Sequence, residues 1–215
     1  GNNAAPQYTL KQSDFLQDEM IDLGLGAYPL FFDYNGDGLL DMIVGNYGYL
    51  DSSYFDPLYG LTCEYVSSLA LFENTGTASV PAFKLLTRDY LGLSALKMQS
   101  LIPAAGDVDG DGVTDLLCGN SKGKMVYVHN RAGAGQPADF ELADPAFKQL
   151  DVGDFCAPQV VDLDEDGLND LVCGNRKGKL YYYRNTGQAG NPGYTLITDS
   201  LGGIDVTNTG LSYYG

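Results

Sequence analysis

The 215-residue chain has no tryptophan, a single histidine, and only 12 lysines and arginines against 28 aspartates and glutamates. The formal charge of −16 repels polyanions, which excludes nucleic acid and an anionic membrane surface as partners. No run of about 18 apolar residues occurs, so no membrane insertion is expected. The one histidine, His129, stands in a strand-like run between Val128 and Asn130. A Ser-His-Asp or Cys-His site would have to use it, and neither a G-x-S-x-G elbow nor an H-E-x-x-H string is present. No catalytic residue is assigned, and His129 reads as a partly exposed strand residue. The four cysteines do not make a disulfide framework. Cys118 and Cys173 share the register of Val44 and read as small buried apolar residues, whereas a Cys63–Cys156 bridge stays open.

What the chain does have is glycine, tyrosine and repetition. Its 28 glycines and 16 tyrosines suit many short strands joined by tight turns and argue against a helical bundle. Three segments align without adjustment: PLFFDYNGDGLLDMIVGN (29–46), PAAGDVDGDGVTDLLCGN (103–120) and PQVVDLDEDGLNDLVCGN (158–175). A second block follows each: LALFENTG (69–76), MVYVHNRAG (125–133) and LYYYRNTG (180–187), with a proline seven residues after its asparagine. The first aspartates lie 55 residues apart between Asp107 and Asp162, and 74 apart between Asp33 and Asp107. Most of that excess falls between Asn46 and Leu69, so the unit carries one insertion. Each unit reads as four short strands, and four strands at this period are the signature of a propeller blade.

The fold class is therefore all-β, with about three complete blades of four antiparallel strands and partial blades at the ends. Blades are expected over 27–90 (with an insertion at 47–68), 101–150 and 156–200. The stretch 6–24 matches the outer-strand block of PAFKLLTRDY and is expected to be the outer strand of a preceding blade, and 201–215 the lead-in to a following one. Three blades do not close a propeller. The expectation is a fragment of a larger one, or self-association through the unpaired outer strands.

Each repeat carries a loop of the form D-x-D/N-x-D-G-x-x-D. The first position is Asp33, Asp107 or Asp162, the third Asn35, Asp109 or Asp164, and the fifth Asp37, Asp111 or Asp166. A glycine follows, then Leu39, Val113 or Leu168 offering a backbone carbonyl, and finally Asp41, Asp115 or Asp170 at position nine. Oxygen donors at alternate positions with a late carboxylate match the needs of Ca²⁺, whereas Mg²⁺ retains more water and a stricter octahedron. About three calcium ions are expected. An EF-hand is excluded because position twelve is Val44, Cys118 or Cys173 instead of glutamate. The plain alternative is an acidic turn whose aspartates cap their own backbone. Against it stand three copies in register, whose clustered carboxylates repel one another without a cation.

These loops, with the hydrophobic run and Gly-Asn pair that follow, resemble the FG-GAP or VCBS repeats of secreted bacterial proteins and of integrin α-subunit propellers. The resemblance covers nearly the whole chain and departs at Glu165, where glycine is usual. It implies calcium in a structural role between the first and second strands of a blade. It also implies that partners bind the opposite face, through loops joining strands two and three or linking successive blades.

The 47–68 insertion would be such a loop. It interleaves Tyr47, Tyr49, Tyr54, Phe55, Tyr59 and Tyr65 with Asp51, Asp56 and Glu64, which suits sugar or peptide recognition or, equally, packing onto a neighbouring blade. The matching turns, SKGK (121–124) and RKGK (176–179), could hold an anionic glycan or be solvated tips paired with nearby acids. The expected function is a calcium-binding extracellular module for protein or glycan recognition or adhesion, not an enzyme. The alternative is a calcium-dependent polysaccharide lyase-type propeller using the basic turns.

Overall fold

The computed structural model describes residues 21–206. The strand expected over 6–24 lies outside them except for 21–24, and the lead-in over 201–215 except for 201–206. Among the described residues no helix is long and apolar enough to cross a membrane.

The fold is all-β. The first sheet begins with β1 (Tyr28–Phe32) and β2 (Asp41–Gly45); a hairpin of β3 (Tyr49–Asp56) and β4 (Gly60–Val66) follows, and β5 (Leu69–Asn74) and β6 (Phe83–Thr87) complete it. The second sheet holds β7 (Ile102–Gly106), β8 (Asp115–Gly119), β9 (Met125–Asn130) and β10 (Phe140–Asp144). The third holds β11 (Ala157–Val161), β12 (Asp170–Gly174), β13 (Leu180–Asn185) and β14 (Tyr194–Thr198). All pairings are antiparallel between strands in simple up-and-down order, as expected for propeller blades.

The repeated residues have repeated structural jobs. Pro29, Pro103 and Pro158 stand second in β1, β7 and β11, each an edge strand, where a missing N–H need not interrupt a ladder. Each outer strand carries a bulge at the same place, leaving Leu86, Ala143 or Ile197 without an opposite residue and bending the strand locally. A short 3₁₀ turn follows each outer strand, at Tyr90–Leu96, Phe147–Gln149 and Leu201–Gly203.

The core lies between sheets. Ile43, Leu69 and Leu71 of the first sheet pack with Leu116, Cys118, Val126 and Val128 of the second. The opposite face of that second sheet, with Leu117, Met125 and Tyr127, packs with Leu171, Cys173 and Tyr183 of the third. This explains why the run DLLCG (115–119) is apolar without alternation: both of its faces are covered. A fully buried Leu or Val contributes roughly 1.5–3 kcal/mol. With most such residues shared between sheets, the sheets stabilise one another more than themselves.

The 47–68 insertion is a hairpin, not an irregular loop. Residues Tyr49–Asp56 and Gly60–Val66 pair along their length, and Asp56 Oδ1 closes the turn by accepting the N–H of Leu58 (2.7 Å) and Tyr59 (3.1 Å). The Gly-Asn asparagine anchors it. Asn120 Oδ1 accepts the N–H of Lys122 and Lys124, and Asn175 Oδ1 those of Lys177 and Lys179, shaping the two short turns. In the first sheet Asn46 Oδ1 accepts from Ser68 N–H at the matching register, with Ser67 Oγ donating at 2.8 Å. The same amide thus closes a tight turn or admits a hairpin.

All four cysteines are free thiols. The bridge left open between Cys63 and Cys156 does not form: Cys63 sits in the β3–β4 hairpin, while Cys156 is buried between the second and third sheets in one core cluster with Cys173.

Candidate metal centre

Each Asp loop joins the first and second strands of its sheet. The first aspartate shapes the turn: Asp33 Oδ1 accepts from Gly36 and Asp37, and its Oδ2 from Gly38 at 2.9 Å. Asp107 repeats the pattern with Gly110, Asp111 and Gly112, and Asp162 with Asp166 and Gly167. The fifth-position carboxylates of Asp37, Asp111 and Asp166 accept the N–H of Leu39, Val113 and Leu168 at 2.8–3.0 Å. The chain turns through the left-handed region at position six, with φ of 84°, 87° and 89° at Gly38, Gly112 and Gly167. Position four does the same; there Glu165 adopts φ 59°, a conformation that costs a non-glycine residue roughly 1 kcal/mol.

The ninth-position aspartates do something different. Asp41, Asp115 and Asp170 are fully buried. Asp115 Oδ1 accepts the Asn130 N–H at 2.8 Å and its Oδ2 the Val108 N–H at 3.1 Å. Asp41 makes the same pair of bonds with Asn74 and Tyr34, and Asp170 with Asn185 and Leu163. Each of these carboxylates ties its loop to the third strand of the sheet. Tyr127 and Tyr182 add a hydroxyl donor to Asp115 and Asp170, at 3.1 and 2.9 Å. Burial pushes the Asp115 carboxyl up, while the N–H groups of Asn130 and Val108 pull it back. Burial and Asp170 together push the Tyr182 hydroxyl up to about 12.

The following sheet clamps the first two loops from outside. Ala138 N–H donates to Tyr34 O at 2.8 Å, Gly190 N–H to Asp109 O at 2.6 Å, and Asn169 Nδ2 to Asp107 O at 2.8 Å. The loops are therefore held by backbone and side-chain bonds before any ion is considered. An ionised carboxylate has about four acceptor sites, so these bonds leave room for a cation.

The donor chemistry fits a hard cation. Asp107, Asp109 and Asp111 bring carboxylate oxygens within 4.8 Å of one another, as do Asp162, Asp164 and Asp170. Among the described residues the first loop assembles no such acidic trio, because Asn35 holds position three and donates its Nδ2 to Asp37 Oδ2 at 3.0 Å. Its oxygen donors are Asp33, Asn35 Oδ1, Asp37 and Asp41. The calcium role expected for Leu39, Val113 and Leu168 rests on their carbonyls; the bonds given above involve only their N–H groups.

Two residues at these loops are invisible in the loop motif itself. Asp109, Asp115 and His129 form a further close trio, with His129 Nδ1 3.3 Å from Asp115 Oδ1 and 3.4 Å from Asp109 Oδ2. His129 is the partly exposed strand residue expected, and its ring rests against an Asp loop. In the third sheet Arg184 lies over Asp164 and Asp166, at 2.6 and 3.1 Å. The N–H of Leu168 and then the Arg184 guanidinium hold the Asp166 carboxyl below its ordinary range. Both residues stand immediately before the buried asparagine of the third strand, where the first sheet has Glu73, and that shared register is the sequence signal for them.

The hairpin and the two basic turns leave from the far ends of β2, β8 and β12. These five-residue strands span roughly 17 Å. At the hairpin base, Tyr47 packs edge-on against Tyr65 at 5.5 Å and Tyr49 OH donates to Asp22 O at 2.9 Å. At its tip, Phe55, Leu58 and Tyr59 are 77, 84 and 83% exposed. The packing and the recognition readings of the insertion thus apply to different ends of it. In the basic turns Lys124 pairs with Asp151 at 2.6 Å and Lys179 with Asp199 at 2.8 Å, while Arg176 covers the Phe155 ring at 5.5 Å. These contacts match solvated tips paired with nearby acids.

Comparison with known families gives two matches. The profile of the FG-GAP-like repeat matches residues 33–118, and that of the FG-GAP repeat matches 102–136. Both stretches contain Asp loops described above, and they support an FG-GAP repeat protein. No curated protein and no solved structure matches the chain.

Proposed function

We propose that the chain is a calcium-stabilised propeller region that recognises an extracellular protein or glycan through the face opposite its Asp loops. FG-GAP repeats occur in integrin-α-like propeller modules, which are generally non-enzymatic and extracellular. Calcium is assigned to the three loops, with Asp33, Asn35, Asp37 and Asp41 and their counterparts as ligands and the position-seven carbonyls completing each set. Loops of this kind suit the extracellular range, where modules bind at about 10⁻⁴–10⁻³ M.

The observation that carries the recognition reading is the β3–β4 hairpin. It is anchored at its base by Asn46 and Ser67, yet presents a solvent-facing tip of Phe55, Leu58 and Tyr59. Apolar groups set on a fixed scaffold offer contact area at little ordering cost.

Calcium added to chelator-stripped protein should release binding heat and raise the melting temperature. At a hundredfold excess over Kd each filled site adds about 2.7 kcal/mol. For a chain of this size that is about 5–10 °C. Absence of both heat and shift would reduce the loops to self-capped acidic turns.

Recognition is tested on a glycan and matrix-protein array in calcium. Wild type should give discrete signals that fall at least tenfold on combining Phe55→Ser, Leu58→Ser and Tyr59→Ser, with the melting temperature unchanged. A blank array would make the module an architectural spacer. An absorbing unsaturated product from a uronate polymer would instead make it a lyase.

A further inference from the structure

We infer that Arg184 is a built-in competitor for the third Asp loop, so the three loops do not bind calcium alike. This rests on the calcium reading of the loops and concerns how that reading is distributed among them. The guanidinium lies 2.6 Å from Asp164 Oδ2 and 3.1 Å from Asp166 Oδ2, the third- and fifth-position ligands. A divalent ion drawing on those two carboxylates must displace it or sit beside a positive charge.

The register makes this a difference between loops and not a general property of the fold. The residue before the buried third-strand asparagine is Glu73 in the first sheet, His129 in the second and Arg184 in the third. With Glu73, the first unit has four acidic side chains over its ligand positions and this register, since Asn35 replaces one aspartate. The second unit also has four: Asp107, Asp109, Asp111 and Asp115. Over the same positions the third has four aspartates and one arginine, one negative charge fewer; Glu165 adds a charge at position four, which is not a ligand position. An arginine keeps its charge at any working pH, so the competitor is permanent. Its side chain is 44% exposed, so it has room to swing away once an ion enters. The expected result is weakened binding at the third loop, not its abolition.

The experiment is a calorimetric titration of chelator-stripped protein with CaCl₂ alone, comparing wild type, Arg184→Gln and His129→Arg. Wild type should give two tighter sites and one at least tenfold weaker. Arg184→Gln should tighten the weak site about tenfold, and adding Asp162→Ala to that variant should abolish it. His129→Arg should weaken one of the tighter sites by a similar factor, which keeps the test available if Arg184→Gln folds poorly. Three equal sites unmoved by either substitution would overturn this inference and leave calcium binding intact. No binding heat in any of the proteins would overturn both.

Discussion

Replacing Gly119 with alanine should destabilise the protein by about 3 kcal/mol or more, a penalty at the upper end of that for overpacking. The reason is a backbone collision. A Cβ at Gly119 would lie 2.2 Å from the carbonyl oxygen of Cys156 and 2.8 Å from Pro158 Cδ. The segment it strikes has nowhere to go, because Cys156 N–H donates to Asn120 O at 2.9 Å and Phe155 N–H to Ser121 O at 3.1 Å. These bonds join the second sheet to the strand that starts the third. Gly45 meets the same arrangement one sheet earlier, 2.0 Å from Leu101 O, with Leu101 N–H bonded to Asn46 O at 3.0 Å. Its alanine variant should behave alike.

Gly133 supplies the internal control. Among the described residues the nearest atom to its added Cβ is Gln136 Cγ at 3.9 Å. Its φ does not fall in the left-handed region. Gly133→Ala should therefore be neutral or stabilise by about 0.5 kcal/mol, through the lower entropy of the unfolded chain. Urea unfolding of the three variants checks this. If Gly119→Ala stays within 1 kcal/mol of wild type, the sheets are not packed as closely as described.

The repeat made the sheets legible, because a period of four short strands with fixed punctuation has few other solutions. The Gly-Asn pair was visible as a motif, but its purpose was not. Only the packed sheets reveal that the glycine admits a neighbour's backbone and the asparagine closes the turn. The hairpin is harder to see in sequence, because its tyrosines and acids suit recognition chemistry as well as they suit strand pairing. Yet the Asp56-Pro57 turn between two pairable runs is a usable hairpin signal. His129 and Arg184 are not legible in sequence as neighbours of the Asp loops, for a geometric reason. They lie 20 residues after Asp109 and Asp164, and only strand register brings them there. Sequence alone likewise gave Cys156 no reason to prefer Cys173 over Cys63.

The ninth-position aspartate is where the two levels of description differ most, and it gives the sharpest test. The motif treats Asp115 as one side-chain ligand among four, beside the Val113 carbonyl. The structure makes it the hub of its sheet, accepting from Asn130 N–H, Val108 N–H and Tyr127 OH while fully buried. Asp115→Ala would strand two buried N–H donors at once, those of Asn130 and Val108, while the Tyr127 hydroxyl keeps Asp109 and His129 as partners. Each unsatisfied buried group costs about 1–3 kcal/mol, and breaking a buried charged network costs about 3–5 kcal/mol. The expected loss is on the order of 4 kcal/mol, and it should appear in chelator as fully as in calcium. Asp109→Ala should differ in kind. Among the described residues its carboxylate meets the Asp111 N–H, the Tyr127 hydroxyl and His129, in a partly open loop. In chelator it should cost on the order of 1 kcal/mol, because the loss of its hydrogen bonds is offset by relief of repulsion from Asp107, Asp111 and Asp115, while the stabilisation gained on adding calcium should fall. Urea unfolding of both variants with and without calcium separates the roles. If Asp115→Ala matched wild type in chelator and lost only the calcium increment, position nine would be a ligand first and a latch second. The hydrogen-bond pattern, repeated at Asp41 and Asp170, points the other way: the latch builds the loop, and the loop then has a shape that an ion can fill.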